Sequence, residues 1–242
     1  MTPQIAKRIH LPPPSKNEPN PSRDRQGAFT ALANVRLAHP SARMILKICG
    51  ITSQEDADAA ISAGANAIGF NFYPASPRYL APELAARIAT PGARRVGVFV
   101  NEAPLRVEQI ARTAALDVAQ LHGDESPADY PSALAVWKGV RVTPNFDFSQ
   151  YDQCPAEALL LDGPAAALYG GAGHTFDWTL AAAAPHRIIV AGGLDASNVA
   201  RAIALAHPWG VDSCSRIESA PGKKDIKKMT DFLHAAQAAL GA

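Results

Sequence analysis

Short apolar runs recur along this chain from Met44 onward at a spacing of about 24 residues, each closed by a glycine or polar residue and followed by helix-forming sequence. They begin near Met44, Asn66, Arg94, Asp117, Ala135, Ala158, Arg187 and Gly210. Ala67-Ile68-Gly69-Phe70, Val96-Gly97-Val98-Phe99-Val100 and Ile188-Ile189-Val190-Ala191 are continuously apolar, as parallel strands buried on both faces must be. Thr52-Ser53-Gln54-Glu55 reads as a capping box, and Pro82 and Pro104 stand where first-turn prolines belong. Asp195 precedes a helical run through Val199, Ile203 and Leu205. A last helix from about Asp225 aligns Ile226, Met229, Phe232, Leu233, Ala236 and Leu240 on one face. Eight strand-helix units in about 200 residues predict a single closed (β/α)8 TIM barrel over residues 44–242. An open doubly wound sheet is the alternative, and eight regular units favour closure.

Residues 1–43 are different in kind. Leu11-Pro12-Pro13-Pro14 and Pro19-Asn20-Pro21 interrupt a stretch with little apolar periodicity, which is expected to be a disordered, basic, Pro-rich extension. It carries seven Lys/Arg and two acids, leaving sixteen bases and twenty acids for the barrel region. A net charge of +1 gives no reason to bind nucleic acid or lipid, and no apolar run is long enough to span a membrane. Three cysteines, Cys49, Cys154 and Cys214, are too few and scattered for a disulfide framework or a cysteine zinc site. A reducing cytoplasm is the expected location, and the sequence leaves the oligomeric state open.

In a barrel, polar residues just past the strands lie at the rim where catalytic groups gather. The candidates are Cys49, Asn71, Arg78, Asn101, His122, Arg141, Asp162, Asp212 and Ser213. Cys49, before Gly50, supplies a base, and Asp162, ending Leu159-Leu160-Leu161-Asp162, supplies an acid. That pairing suits proton transfer on a small molecule without metal or cofactor. Arg78 lies in a loop stiffened by Pro74 and Pro77 and is suited to bidentate capture of a carboxylate. His122 reads equally as a support for a neighbour or as a ligand contact. Glycine-rich segments after the sixth, seventh and eighth strands include Gly171 and Gly173, Gly192 and Gly193, and the stretch from Ser213 through Cys214 and Ser215 to Gly222. Together they occupy the quarter of a barrel where backbone N–H groups hold phosphate. The expected ligand carries a phosphate at one end and a carboxylate at the other.

The chain resembles the phosphoribosylanthranilate isomerases over nearly all of residues 44–242. The motifs are Lys47 to Thr52, Ser76-Pro77-Arg78-Tyr79, Gln120-Leu121-His122-Gly123, Leu160-Leu161-Asp162, Gly170 to Trp178, Ala191-Gly192-Gly193-Leu194, and Gly210-Val211-Asp212 through Lys224-Asp225. The resemblance implies an Amadori rearrangement of N-(5'-phosphoribosyl)anthranilate in tryptophan biosynthesis. It implies Asp162 as general acid, Cys49 as general base, Arg78 on the anthranilate carboxylate and Asp212 near the anthranilate amino group. Ala172, Cys214 and Arg216 depart from the family's usual Ser or Thr, Ser, and Gly, and all three lie in the phosphate region. Two other readings compete. A neighbouring phosphosugar barrel such as indole-glycerol-phosphate synthase relies on lysine catalysis, and strand alternation is taken to point Lys47 away from Cys49. A non-catalytic phosphosugar-binding barrel is opposed by the presence of both Cys49 and Asp162.

Overall fold

The computed structural model describes residues 44–143, 146–163, 175–182 and 184–241. The extension 1–43 and the run Gly170-Gly171-Ala172-Gly173 lie outside the described residues. Eight parallel strands close into a barrel: β1 (Ile45–Cys49), β2 (Ala67–Asn71), β3 (Arg94–Phe99), β4 (Val118–Leu121), β5 (Ala135–Arg141), β6 (Ala158–Asp162), β7 (Ile188–Val190) and β8 (Gly210–Ser213). β8 returns to β1 with Lys47 opposite Asp212 and Ile48 opposite Ser213. No described helix is long and apolar enough to cross a membrane.

The helices are α1 (Gln54–Ser62), α2 (Pro82–Ala85), α3 (Pro104–Ala114), α4 (Thr179–Ala182), α5 (Val199–Ala206) and α6 (Ile226–Ala238). Pro82 and Pro104 open α2 and α3 as the sequence predicts. The cap of α1 is one residue later than expected: Ser53 accepts from the Asp56 amide, and Thr52 instead donates its hydroxyl to the Gly222 carbonyl. Asp225 caps α6 through the Lys228 amide. On α6, Met229, Phe232, Leu233 and Ala236 are buried, whereas Ile226 at its start and Leu240 just past its end are exposed. The regular unit fails after β4 and β5, where the described connections hold only the 3-10 turns Pro127–Asp129 and Phe148–Tyr151. Pro127 and Pro131 on one side and Pro155 on the other lack the N–H a helix interior needs, and neither segment has a helical apolar stripe. A short antiparallel hairpin, β9 (Glu218–Ala220) with β10 (Lys223–Lys224), follows the 3-10 turn Ser215–Ile217.

Alternate residues of each strand face opposite ways, which divides the apolar interior in two. Leu46, Ile48, Ile68, Phe70, Leu159, Leu161, Val190 and Val211 face the helices. Ile45, Ala67, Val96, Val118, Trp137, Ala158, Leu160, Ile189 and Ala191 fill the barrel itself. Trp137 is fully buried there, meets Trp209 edge to face at 5.8 Å, and donates its indole N–H to Glu157 at 2.9 Å. Arg94 covers the Trp137 ring, Arg187 covers Trp209, and both arginines pair with Glu157. This closes the end of the barrel opposite the catalytic candidates. Replacing Trp137 with Ala removes the largest buried side chain of that layer and leaves Glu157 without its indole donor. Urea unfolding should show a loss of about 3–5 kcal/mol.

Candidate active site

The alternation that fills the barrel also aims its polar groups. Ile45 belongs to the barrel interior, so Lys47 and Cys49, two and four residues on, share that face and climb toward the strand's C-terminal end. By the same step Val118 leads to Gln120 and His122, and Ala158 and Leu160 lead to Asp162. On β8, Asp212 faces inward between the outward Val211 and Ser213. The expectation that Lys47 points away from Cys49 is therefore corrected, because residues two apart on a strand lie on one face. Gly69, on the neighbouring strand, leaves room for both: a Cβ there would lie 2.9 Å from Cys49 Sγ and 3.2 Å from Lys47 Nζ.

Lys47 is fully buried, with Nζ 2.9 Å from Asp212 Oδ1 but out of line for a hydrogen bond. Burial opposes its charge, yet Asp212 and Cys49 outweigh burial and hold the ammonium above its usual range. The Cys49 thiol is held well below its ordinary value, chiefly by a hydrogen bond from the Cys214 thiol. Burial works against that shift, and the charges of Lys47 and then Lys224 add to it. Burial also pushes the Asp212 carboxyl up to about 7 against the pull of Lys47, and the charges of Cys49 and Asp162 add to the rise. One cation thus sits between two acids, and the geometry favours the thiolate. Gly50, with φ +72°, turns the chain away after Cys49, and a Cβ there would meet Arg78 Cδ at 2.8 Å and Cys214 Sγ at 3.1 Å.

Asp162 ends β6 beside His122, whose Nε2 is 3.6 Å from Asp162 Oδ2. That is a close approach without a direct hydrogen bond. Gln120, buried below, brings its amide nitrogen within 3.2 Å of His122 Nδ1. With the amide as donor, Nδ1 accepts and the imidazole proton sits on Nε2, facing Asp162. A Cβ at Gly139 would collide with the His122 ring, so this glycine makes space for it. Below the loop after β4, the buried Lys138 ammonium reaches Glu125 at 2.6 Å and the Gly123 carbonyl at 2.7 Å.

Arg78 does approach the mouth, but its bidentate fork is already used. Nε lies 2.9 Å from Glu218 Oε1 and Nη2 lies 2.7 Å from Glu218 Oε2. Glu218 also accepts from the fully buried Lys224 at 2.8 Å. Burial would raise the Glu218 carboxyl, but Arg78 and Lys224 hold it below its usual range. Neither Glu218 nor Lys224 was singled out as a site residue from sequence. The signal was a Lys pair beside Pro221-Gly222, and burial of one lysine is a tertiary fact that no local pattern carries.

On the side of the glycine-rich loops, Gly192 and Gly193 both take positive φ, +76° and +66°. Ser215 opens its 3-10 turn. Ser213 differs from expectation: its side chain faces out of the barrel and donates to the Leu194 carbonyl at 2.6 Å, tying the loops after β7 and β8 together. Arg216 pairs with Asp195 at 2.8 Å across the same two loops. Gly171 and Gly173 lie outside the described residues. Of the remaining rim candidates, Asn71 accepts from the Tyr73 amide and Asn101 from the Asp124 amide, so both side chains fix loops. Arg141 lines a cavity of about 610 Å³ together with His122, Tyr130, Phe146, Tyr151 and Asp162. It opens where β4 and β5 are followed by 3-10 turns.

Residues 46–235 match the family described as N-(5'phosphoribosyl)anthranilate (PRA) isomerase. An N-(5'-phosphoribosyl)anthranilate isomerase of Solibacter usitatus is 83% identical over 199 residues, covering 82% of this chain and 100% of that protein. The crystal structure of phosphoribosyl anthranilate isomerase from Thermotoga maritima, 38% identical, superposes with a TM-score of 0.73 and covers 81% of this chain and 100% of that one. A phosphoribosyl anthranilate isomerase in complex with reduced 1-(o-carboxyphenylamino)-1-deoxyribulose 5-phosphate, 35% identical, gives 0.71 over 81% of this chain and 100% of that one. A barrel closed as theirs is, matched over the whole length of these relatives, leaves one conclusion: the chain belongs to the N-(5'-phosphoribosyl)anthranilate isomerase family.

Proposed function

We propose that this isomerase converts N-(5'-phosphoribosyl)anthranilate into 1-(2-carboxyphenylamino)-1-deoxyribulose 5-phosphate, with Asp162 as general acid and Cys49 as general base, in tryptophan biosynthesis. The observation that carries the assignment of roles is the setting of Cys49: a thiol donor, a buried ammonium and a strand-end position together favour a thiolate facing the barrel mouth. The activity is assigned to residues 44–242, because the Solibacter relative is spanned end to end by 199 residues of this chain.

The acid acts first. Asp162 donates its proton to the ribose ring oxygen as the C1'–O bond breaks, and the anthranilate nitrogen lone pair completes a C=N⁺ bond. The His122 Nε2–H faces the Asp162 carboxylate that is left behind. The adjacent cation makes the C2' proton acidic, and the Cys49 thiolate removes it. The electron pair moves into a C1'–C2' double bond and neutralises the iminium nitrogen, giving an enolamine that tautomerises to the ketone. Lys47 stays charged throughout, and its ammonium favours the thiolate form of Cys49 before the proton is taken up. Arg78 has Nη1 as the nitrogen that meets the substrate carboxylate, its other two nitrogens being held by Glu218. The phosphate is assigned to the loops carrying Gly192, Gly193 and Ser215, whereas the Cys214 sulfur lies by Gly50 and Arg78.

The test is the decay of anthranilate-type fluorescence on adding protein to freshly generated substrate. Cys49→Ala and Asp162→Ala should each lower kcat by about 10²–10⁴-fold, the usual contribution of one general acid or base. Turnover at the parental rate by either variant would sink its assigned role.

The thiolate also has a direct readout. Alkylation of Cys49 by iodoacetamide, followed by peptide mass, should reach its pH-independent plateau well below pH 8.5, near which an ordinary thiol titrates. Its rate should fall only as pH drops through the lowered value. Cys214→Ala removes the hydrogen-bond donor and Lys47→Met removes the charge, so each should move the break upward. The acid limb of kcat/KM should follow.

A further inference from the structure

Any hydrogen-bond donor could favour the Cys49 thiolate, and the isomerisation does not require that this donor, Cys214, be itself a thiol. The register pairs Ile48 with Ser213 across β1 and β8, so the next residues, Cys49 and Cys214, leave adjacent parallel strands side by side. Adjacent strands lie about 4.7–4.9 Å apart, inside the range of about 4.4–6.8 Å over which Cα atoms are bridged by a disulfide. Both side chains are on the barrel side, since Asp212 and Cys214 share a parity and so do Lys47 and Cys49. The missing Cβ of Gly50 lets the Cys214 sulfur approach the Cys49 turn. Both thiols are free, at the mouth that substrate must enter. Two cations flank them: Lys47 beside Cys49, and Lys224 with Nζ 3.9 Å from Cys214 Sγ.

We propose that Cys49 and Cys214 form a reversible oxidation site, in which hydrogen peroxide converts the pair to an intramolecular disulfide. The Cys49 thiolate attacks one peroxide oxygen, the O–O bond breaks, and Cys49 becomes a sulfenic acid with release of hydroxide. Cys214, losing its proton to that hydroxide, attacks Cys49 Sγ and displaces the sulfenic oxygen, which leaves as water after protonation. In sum, two thiols and one peroxide give one disulfide and two waters, each sulfur losing one electron and the peroxide gaining two.

The surroundings order the two steps. The neighbouring Cys49 thiolate holds the Cys214 thiol well above its ordinary value, so Cys214 keeps its own proton; burial adds to that, while Lys224 and Arg78 pull the other way, and Glu218 Oε1 is a second acceptor at 4.0 Å. Oxidation of Cys49 removes the anion and leaves the two cations acting on Cys214, which then becomes the nucleophile. Inactivation by the disulfide rests on Cys49 being the base; formation of the bond does not.

The experiment treats the full chain with hydrogen peroxide, traps remaining thiols with iodoacetamide, and reads unreduced peptides by mass and turnover in parallel. The expected product is a Cys49–Cys214 cross-linked peptide two hydrogens lighter than its parts, with Cys154 still alkylated. Activity should fall in proportion to the cross-linked fraction and return with dithiothreitol. In Cys214→Ser, which keeps a hydrogen-bond donor, peroxide should carry Cys49 on to sulfinic acid, and dithiothreitol should restore several-fold less of that variant's own starting activity. Cys214→Ala should do the same. Oxidised parent protein in which Cys214 remains alkylatable, or equal recovery in the parent and both variants, overturns the proposal. A cross-link that forms while turnover persists leaves the oxidation site standing and refutes Cys49 as base.

Discussion

Closing a sheet on itself gives every strand an inside, and every second residue must enter it. In this barrel the lower inward positions are apolar and the upper ones are not. Ile45, Lys47 and Cys49 on β1, and Ala158, Leu160 and Asp162 on β6, follow one gradient from packing to chemistry. The position of Asp162 and Cys49 is therefore a consequence of strand closure: once the apolar residues have taken the interior, the polar ones two steps on have no other direction to face. Trp137 and its arginine cover seal one end, so the water-accessible mouth is left at the other.

Burying charge in that mouth is costly, and the structure does it repeatedly, with Lys47 and Asp212, Lys224 and Glu218, and Lys138 and Glu125. Pairs of this kind are weak evidence of stabilisation, because desolvation offsets much of their attraction. Their effect here is on the neighbours. Lys47 of the first pair adds to the lowering of Cys49 that Cys214 begins, the second fixes the direction of Arg78, and the third holds the loop from which His122 reaches Asp162.

Much of this was legible in sequence, and the parts that were not share a cause. Eight apolar runs at a steady spacing and the strand-end positions of Cys49 and Asp162 are local patterns, and the structure places all eight strands where those runs begin. The helices expected after β4 and β5 were over-read from the regular repeat, against the prolines standing in both segments. Lys47 shares the face of Cys49, as the two-residue period of a strand requires. Glu218 taking the Arg78 fork depends on a partner 140 residues away, and Ser213 bonding to Leu194 and Lys224 lying by Cys214 depend on how separate loops fold back on one another, which no local pattern displays.

The contact between Thr52 and Gly222 joins residues 170 positions apart, and Lys47 meets Asp212 across the last seam of the barrel to close. Cys49 is made early in synthesis, whereas the thiol and ammonium that shift its ionisation act together only after β8 has docked. Until then Cys49 lacks the Cys214 donor that does most to lower its ionisation. The largest part of that lowering arrives with the final strand pairing, so completion of the fold and the shift in Cys49 ionisation are one event.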